Sequence, residues 1–132
     1  MRILFIGDVF GRTGREALQK HLPTLKENLS PDVVIVNGEN AANGAGITEK
    51  ICKQFYECGV DCITTGNHVW DQREIIPYIG RDKKLIRPIN YPEGSPGKGM
   101  VRLKVAGRTL TVVNAMGRLF MDTLDDPFKI LS

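Results

Sequence analysis

Apolar residues come in short unbroken runs in the first half of the chain and alternate with polar ones in the second. Arg2 to Ile6 (RILFI), Asp32 to Val36 (DVVIV) and Asp61 to Thr65 (DCITT) are the runs. Runs of that length predict strands covered on both faces. The intervals between them have helical spacing. Thr13 and Glu16 match a capping box and predict a helix to about Leu29, with Ala17, Leu18, Leu22 and Leu25 on its apolar face. Pro23 predicts a kink or a restart within it. Thr48 predicts the cap of a second helix, with Ile51, Cys52 and Phe55 turned inward and Gly59 as its stop. Asp71 and Glu74 repeat the capping-box spacing and predict a short helix broken near Pro77. The order β-α-β-α-β-α predicts a parallel sheet with right-handed crossovers.

The pattern then changes. Residues 88–99 are rich in Pro and Gly and read as a loop. Val101, Leu103 and Val105 alternate with Arg102 and Lys104, which predicts a strand buried on one face. Gly107 and Arg108 mark a turn, and Thr109 to Asn114 returns, giving an antiparallel hairpin. Asp126-Pro127 reads as a helix opening. The fold class is therefore α/β: a parallel β-α-β sheet plus an antiparallel hairpin. At 132 residues the chain suits a single domain.

Composition narrows the function classes. The chain is 42% hydrophobic and 25% charged, with a net charge of +3. The basic residues are scattered, unlike those of a dedicated nucleic-acid binder. Three cysteines at C-x5-C-x3-C spacing (Cys52, Cys58, Cys62) make neither a disulfide framework nor a zinc pattern, and read as reduced thiols packed as small hydrophobes. Asp8 comes too early for a secretory leader, and no run approaches the roughly 20 apolar residues of a membrane span. These features give a cytoplasmic expectation.

The candidate chemistry lies at the strand ends. Each parallel strand ends in glycine followed by a polar residue: FIG-Asp8, VNG-Glu39-Asn40 and TTG-Asn67-His68. Ligands of open parallel sheets collect outside the carboxyl ends of the strands, so one rim should carry all five side chains. Glycine before each lets the chain turn sharply and a substrate come close. Asp8 and Glu39 are hard anionic oxygen donors, and Asn40 and Asn67 are neutral ones. A carboxylate such as Glu39 can bridge two cations, and two metals about 3.5–4 Å apart suit in-line displacement at phosphorus. Oxygen donors with some imidazole fit Mn or Fe better than a thiolate zinc site does. His68 stands where it could protonate a leaving alkoxide.

Other residues have plainer readings. Asp71 reads as the helix cap, His21 as a surface histidine and Trp70 as packing. GDVFGRTG lacks both dinucleotide-binding spacing and a P-loop lysine. The NGAG segment at residues 43–46 could offer backbone N–H groups to phosphate.

Taken together, MRILFIGDVFGRTGR, PDVVIVNGENAANGAGIT, TTGNHVWDQREI, RPINYP and NAMGRLFMD resemble the YmdB-type metallophosphoesterases, a bacterial branch of the calcineurin-like superfamily. The resemblance implies half of an α/β/β/α sandwich and a dinuclear iron or manganese centre. It implies phosphodiesterase activity on 2′,3′-cyclic nucleotides or RNA-derived phosphodiesters. Asp8, Glu39, Asn40 and Asn67 would be metal ligands, with Glu39 bridging, and His68 the general acid. It further implies oligomerisation, and a second half of the family domain that supplies histidine ligands, including a G-H-x-H pair.

No histidine follows His68 here. The hairpin is therefore expected to have less to bury its apolar face, and the chain to pair with a second copy or a complementary C-terminal fragment. Two alternatives to the enzyme stand beside it. One is a non-catalytic remnant that keeps part of the metal site and binds a partner. The other is a nucleotide-binding module without hydrolysis.

Overall fold

The computed structural model describes residues 1–132. A four-stranded parallel sheet comprises β1 (Ile3–Ile6), β2 (Val33–Asn37), β3 (Cys62–Thr64) and β4 (Leu85–Ile86), in that spatial order. The connections between them carry α1 (Gly11–Leu29), α2 (Glu49–Glu57) and α3 (Ile75–Ile79). An antiparallel hairpin follows, β5 (Met100–Val105) and β6 (Arg108–Val113), and then a single turn of helix, α4 (Pro127–Leu131). No helix is long and apolar enough to cross a membrane.

Strand pleating sorts the apolar side chains into two cores. Val34 and Val36 of β2, with Ile63 and Leu85, pack with Leu18 and Leu22 of α1, Ile51, Cys52 and Phe55 of α2, and Ile75 and Ile79 of α3. Val33 and Ile35, with Cys62 and Ile86, form the opposite face. That face meets Val101, Leu103, Val105, Leu110 and Val112 of the hairpin. The hairpin's apolar side thus faces the sheet, but only Val105 is buried there, and Val101, Leu103, Leu110 and Val112 stay half-buried. The uncovered surface lies elsewhere. β1 is an edge strand, and Ile3 and Phe5 on its hairpin side remain 51% and 58% exposed. The prediction of a β1 covered on both faces fails because the hairpin lies over β2 to β4 only.

Several boundaries also move. α1 begins at Gly11, so Thr13 lies inside it and caps nothing. Glu16 accepts a bond from Arg12 Nε at 2.6 Å and does not reach back to the backbone. The helix runs uninterrupted through Pro23, and only Leu18 and Leu22 of its predicted apolar face are buried. Thr48 does cap α2, accepting from the Ile51 N–H at 3.3 Å. Asp126 likewise caps α4, accepting from the Phe128 N–H at 2.9 Å. Pro77 sits within the first turn of α3, where its missing N–H costs nothing.

The Pro- and Gly-rich loop is ordered from within. Buried Arg87 donates to the carbonyls of Pro88, Ser95 and Pro96. Fully buried Asn90 donates through Nδ2 to the carbonyls of Met116 and Asp125 and accepts from the Met116 N–H.

Candidate functional site

The two ends of the parallel sheet treat their polar side chains differently. At the amino ends each carboxylate is spent on the neighbouring backbone: Asp32 accepts from the Arg2 N–H at 2.6 Å, and Asp61 from the Val34 N–H at 2.8 Å. At the carboxyl ends the polar groups turn towards one another. Asn40 Nδ2 donates to Asp8 Oδ1 at 2.8 Å, which joins the ends of β1 and β2. The Glu39 carboxylate lies directly against Gly66, which joins the ends of β2 and β3. Asn37 Nδ2 approaches Glu39 Oε1 at 3.4 Å. Asn67 and His68, both half-buried, follow Gly66 in the chain. Of the five side chains expected on one rim, the structure joins Asp8 to Asn40 and sets Glu39 against Gly66, while Asn67 and His68 make no hydrogen bond to these three.

Two features of this rim carry a free-energy cost. Glu39 Oε2 and Asn40 Oδ1 are both buried and lack any hydrogen-bond donor. Buried acceptors without donors cost free energy, and each needs an explanation such as a bound ion. Asp8 adopts φ 30°, in the left-handed region. Non-glycine residues held there cost about 1–3 kcal/mol and gather at functional sites. A hard divalent cation fits this donor set, since it takes carboxylate and amide oxygens. Nowhere do three His, Cys, Asp or Glu side chains converge, so amide oxygens have to complete any such site.

The strand-end glycines have a different role from the one expected. Gly7, Gly38 and Gly66 all lack positive φ, so none makes a left-handed turn. A Cβ at Gly38 would press on Ile47 Cδ1 at 2.8 Å, and one at Gly66 would occupy the space of the Glu39 carboxylate. Those two are glycines for want of room.

The NGAG loop is not a phosphate cradle. The N–H groups of Gly44, Ala45 and Gly46 are already donated to the carbonyls of Asn40, Ala42 and Glu39. The loop instead folds tightly back under the Glu39-Asn40 corner.

Asp71 is not a helix cap. α3 starts after Glu74, with no side-chain cap bond. The Asp71 carboxylate instead meets His68 Nδ1 at 2.6 Å, a pairing that the D-x-x-E spacing concealed. Trp70 packs edge-on against Tyr91 at 5.7 Å between ring centroids, as a packing residue should. Tyr91 is an addition to the site's surroundings. Burial first, then the charges of Asp122, Glu39 and Asp71, push its phenol up. His21 is exposed on α1. Cys52, Cys58 and Cys62 are free thiols.

Fold and rim together define an α/β protein with an oxygen-donor site at the carboxyl edge of its parallel sheet. The chain belongs to the YmdB-like protein family, whose model matches residues 4–132. It is 51% identical over 128 residues to the 2′,3′-cyclic-nucleotide 2′-phosphodiesterase of Bacillus subtilis, covering 97% of this chain and 48% of that protein. A solved structure of a hypothetical protein from Thermus thermophilus superposes with a TM-score of 0.92 at 47% identity, covering 99% of this chain and 51% of the other. A phosphatase of Mycoplasma pneumoniae superposes with a TM-score of 0.91 at 32% identity, covering 98% and 48%. The chain spans about half the length of the relatives it matches.

Proposed function

We propose that the chain carries the catalytic rim of a metal-dependent phosphodiesterase acting on 2′,3′-cyclic nucleotides. The observation that carries this reading is the pair of buried, donorless oxygens on Glu39 and Asn40, set beside Asp8. The likeness to a 2′,3′-cyclic-nucleotide 2′-phosphodiesterase supplies the substrate class.

Asp8, Glu39, Asn40 and Asn67 would hold two divalent cations, Fe or Mn, with Glu39 between them. When bound, the cations supply Lewis-acid stabilisation of charge on the reacting phosphoryl oxygens. The residues of the chain do the rest. The Glu39 carboxylate, packed against Gly66, orients the donor set. His68 is the general acid: as the oxygen of a water molecule bonds to phosphorus and one ribose P–O bond breaks, the departing oxygen takes a proton from Nε2, the ring nitrogen that Asp71 leaves free, and the attacking water gives up its own proton to solvent. We place this chemistry in the cytoplasm, where three free thiols stay reduced.

The test is hydrolysis of 2′,3′-cyclic AMP by purified chain supplied with Mn or Fe. Turnover should require the metal and fall about 100-fold or more in His68→Ala. No hydrolysis, or hydrolysis indifferent to His68→Ala, rejects the proposal.

A second reading has its own observation. Phe120 and Phe128 are 96% and 83% exposed, and one face of edge strand β1 is bare. Large exposed apolar surfaces mark interaction sites, and this one suits a second copy of the chain or a complementary polypeptide. On this reading the rim binds a metal or nucleotide without turnover. Sedimentation equilibrium that shows only monomer at high micromolar concentration would count against it.

A further inference from the structure

His68 and Asp71 stand at the two ends of one tight turn. The Asp71 N–H donates to the His68 carbonyl at 3.1 Å, and the two side chains meet with Nδ1 2.6 Å from Oδ2. The turn between them is anchored on three sides. Val69 is fully buried in the main core. Trp70 packs against Tyr91. Gln72 Nε2 donates to the Ala45 carbonyl at 2.9 Å, which ties the turn to the loop that follows Glu39 and Asn40. That docking is close: a Cβ at Gly46 would stand 3.2 Å from the His68 carbonyl oxygen and 3.0 Å from the Gln72 nitrogen.

The pair does little for folding. Its side chains are 40% and 42% exposed, and exposed pairs of this kind contribute little stability. Nor does Asp71 serve the backbone of α3. What the contact does fix is the imidazole. An ionised carboxylate only accepts hydrogen bonds, and a neutral imidazole has one donor and one acceptor nitrogen. The bonded Nδ1 must therefore carry hydrogen, which leaves Nε2 as the nitrogen without a protein partner.

We propose that Asp71 is a positioning residue for His68, holding the ring by Nδ1–H on a rigid turn so that Nε2 alone meets the leaving oxygen of a phosphodiester. This rests on the reading of His68 as the general acid. The charged ring donates from Nε2, and the neutral ring left behind keeps its proton on Nδ1, where Asp71 accepts it. No rearrangement of the ring is needed between the two states.

Two measurements test this separately. In the first, long-range 1H–15N spectra of the metal-free His21→Gln chain, in which His68 is the sole imidazole, report the neutral tautomer directly. The Nδ1–H form should dominate, and Asp71→Ala should shift His68 to the Nε2–H form that free imidazole favours in water. A wild-type Nε2–H tautomer, or a tautomer unmoved by Asp71→Ala, overturns the proposal.

In the second, Asp71→Ala should lower kcat on 2′,3′-cyclic AMP about 10- to 100-fold with KM nearly unchanged, and Asp71→Glu should recover part of the loss. An unchanged kcat, or a loss confined to KM, also overturns it. A chain without any turnover rejects the phosphodiesterase reading, while the tautomer measurement still decides the role of Asp71.

Discussion

A methyl group at position 66 has nowhere to go. The Glu39 carboxylate already fills the space where a Cβ would stand, and the neighbouring Thr64 and Thr65 are buried. Gly66→Ala should therefore displace the carboxylate or strain the backbone, and cost about 1–3 kcal/mol. Urea unfolding in the presence of a chelator would measure the cost, and an unchanged midpoint would show that Glu39 moves aside freely. The reason for glycine here was invisible in the sequence. The repeated G-polar pattern at three strand ends pointed to Asp8 and Asn40, which do meet, but it suggested sharp turns at the glycines. Among the polar residues that follow those glycines, only Asp8 is strained, at φ 30°. Asp71 was hidden for a related reason, because a D-x-x-E spacing looks alike whether the aspartate caps a helix or grips a histidine.

Among the elements, α1 and α2 show which local rules held. Thr48 satisfies the Ile51 amide as its position predicts, and Thr48→Ala should cost about 1 kcal/mol in a denaturant titration. A loss below a few tenths would mean that water replaces the cap. Pro23 does not restart the helix, since α1 passes through it without a break. Packing of Leu18 and Leu22 on the sheet outweighs the lost hydrogen bond. Pro23→Ala should then raise stability, by up to about 3 kcal/mol. The buried strands were legible because unbroken apolar runs have few other uses. β4 escaped notice because it is two residues long, between Lys84 and Arg87. The covered side of the hairpin was read from its alternation, but what covers it was not. Tertiary placement over β2 to β4 is not encoded in any local pattern.

For the whole molecule, the two cores together set the response to alkali. Burial, as the largest cause, pushes the Cys62 thiol from 9.0 up to about 12. Burial likewise raises Cys52, Tyr56 and Tyr78, with the Asp82 carboxylate reinforcing each. Both phenols donate to Asp82 Oδ2, at 2.8 and 2.7 Å. These groups keep their protons in the folded state after the unfolded chain has released its own. Stability is therefore full below their ordinary values and falls as pH rises from about 9 towards 12. Thermal melts across that range should show a steadily decreasing Tm, and a flat profile would mean that the core admits water.

The cation site proposed at the strand ends rests on two buried oxygens that lack donors, Glu39 Oε2 and Asn40 Oδ1. The most direct test is a Mn2+ titration followed by electron paramagnetic resonance, on the chain and on its Glu39→Gln variant. Binding by the chain should saturate and should weaken about tenfold or more when the Glu39 charge is removed. Binding that never saturates, or that is equally strong in Glu39→Gln, would contradict it.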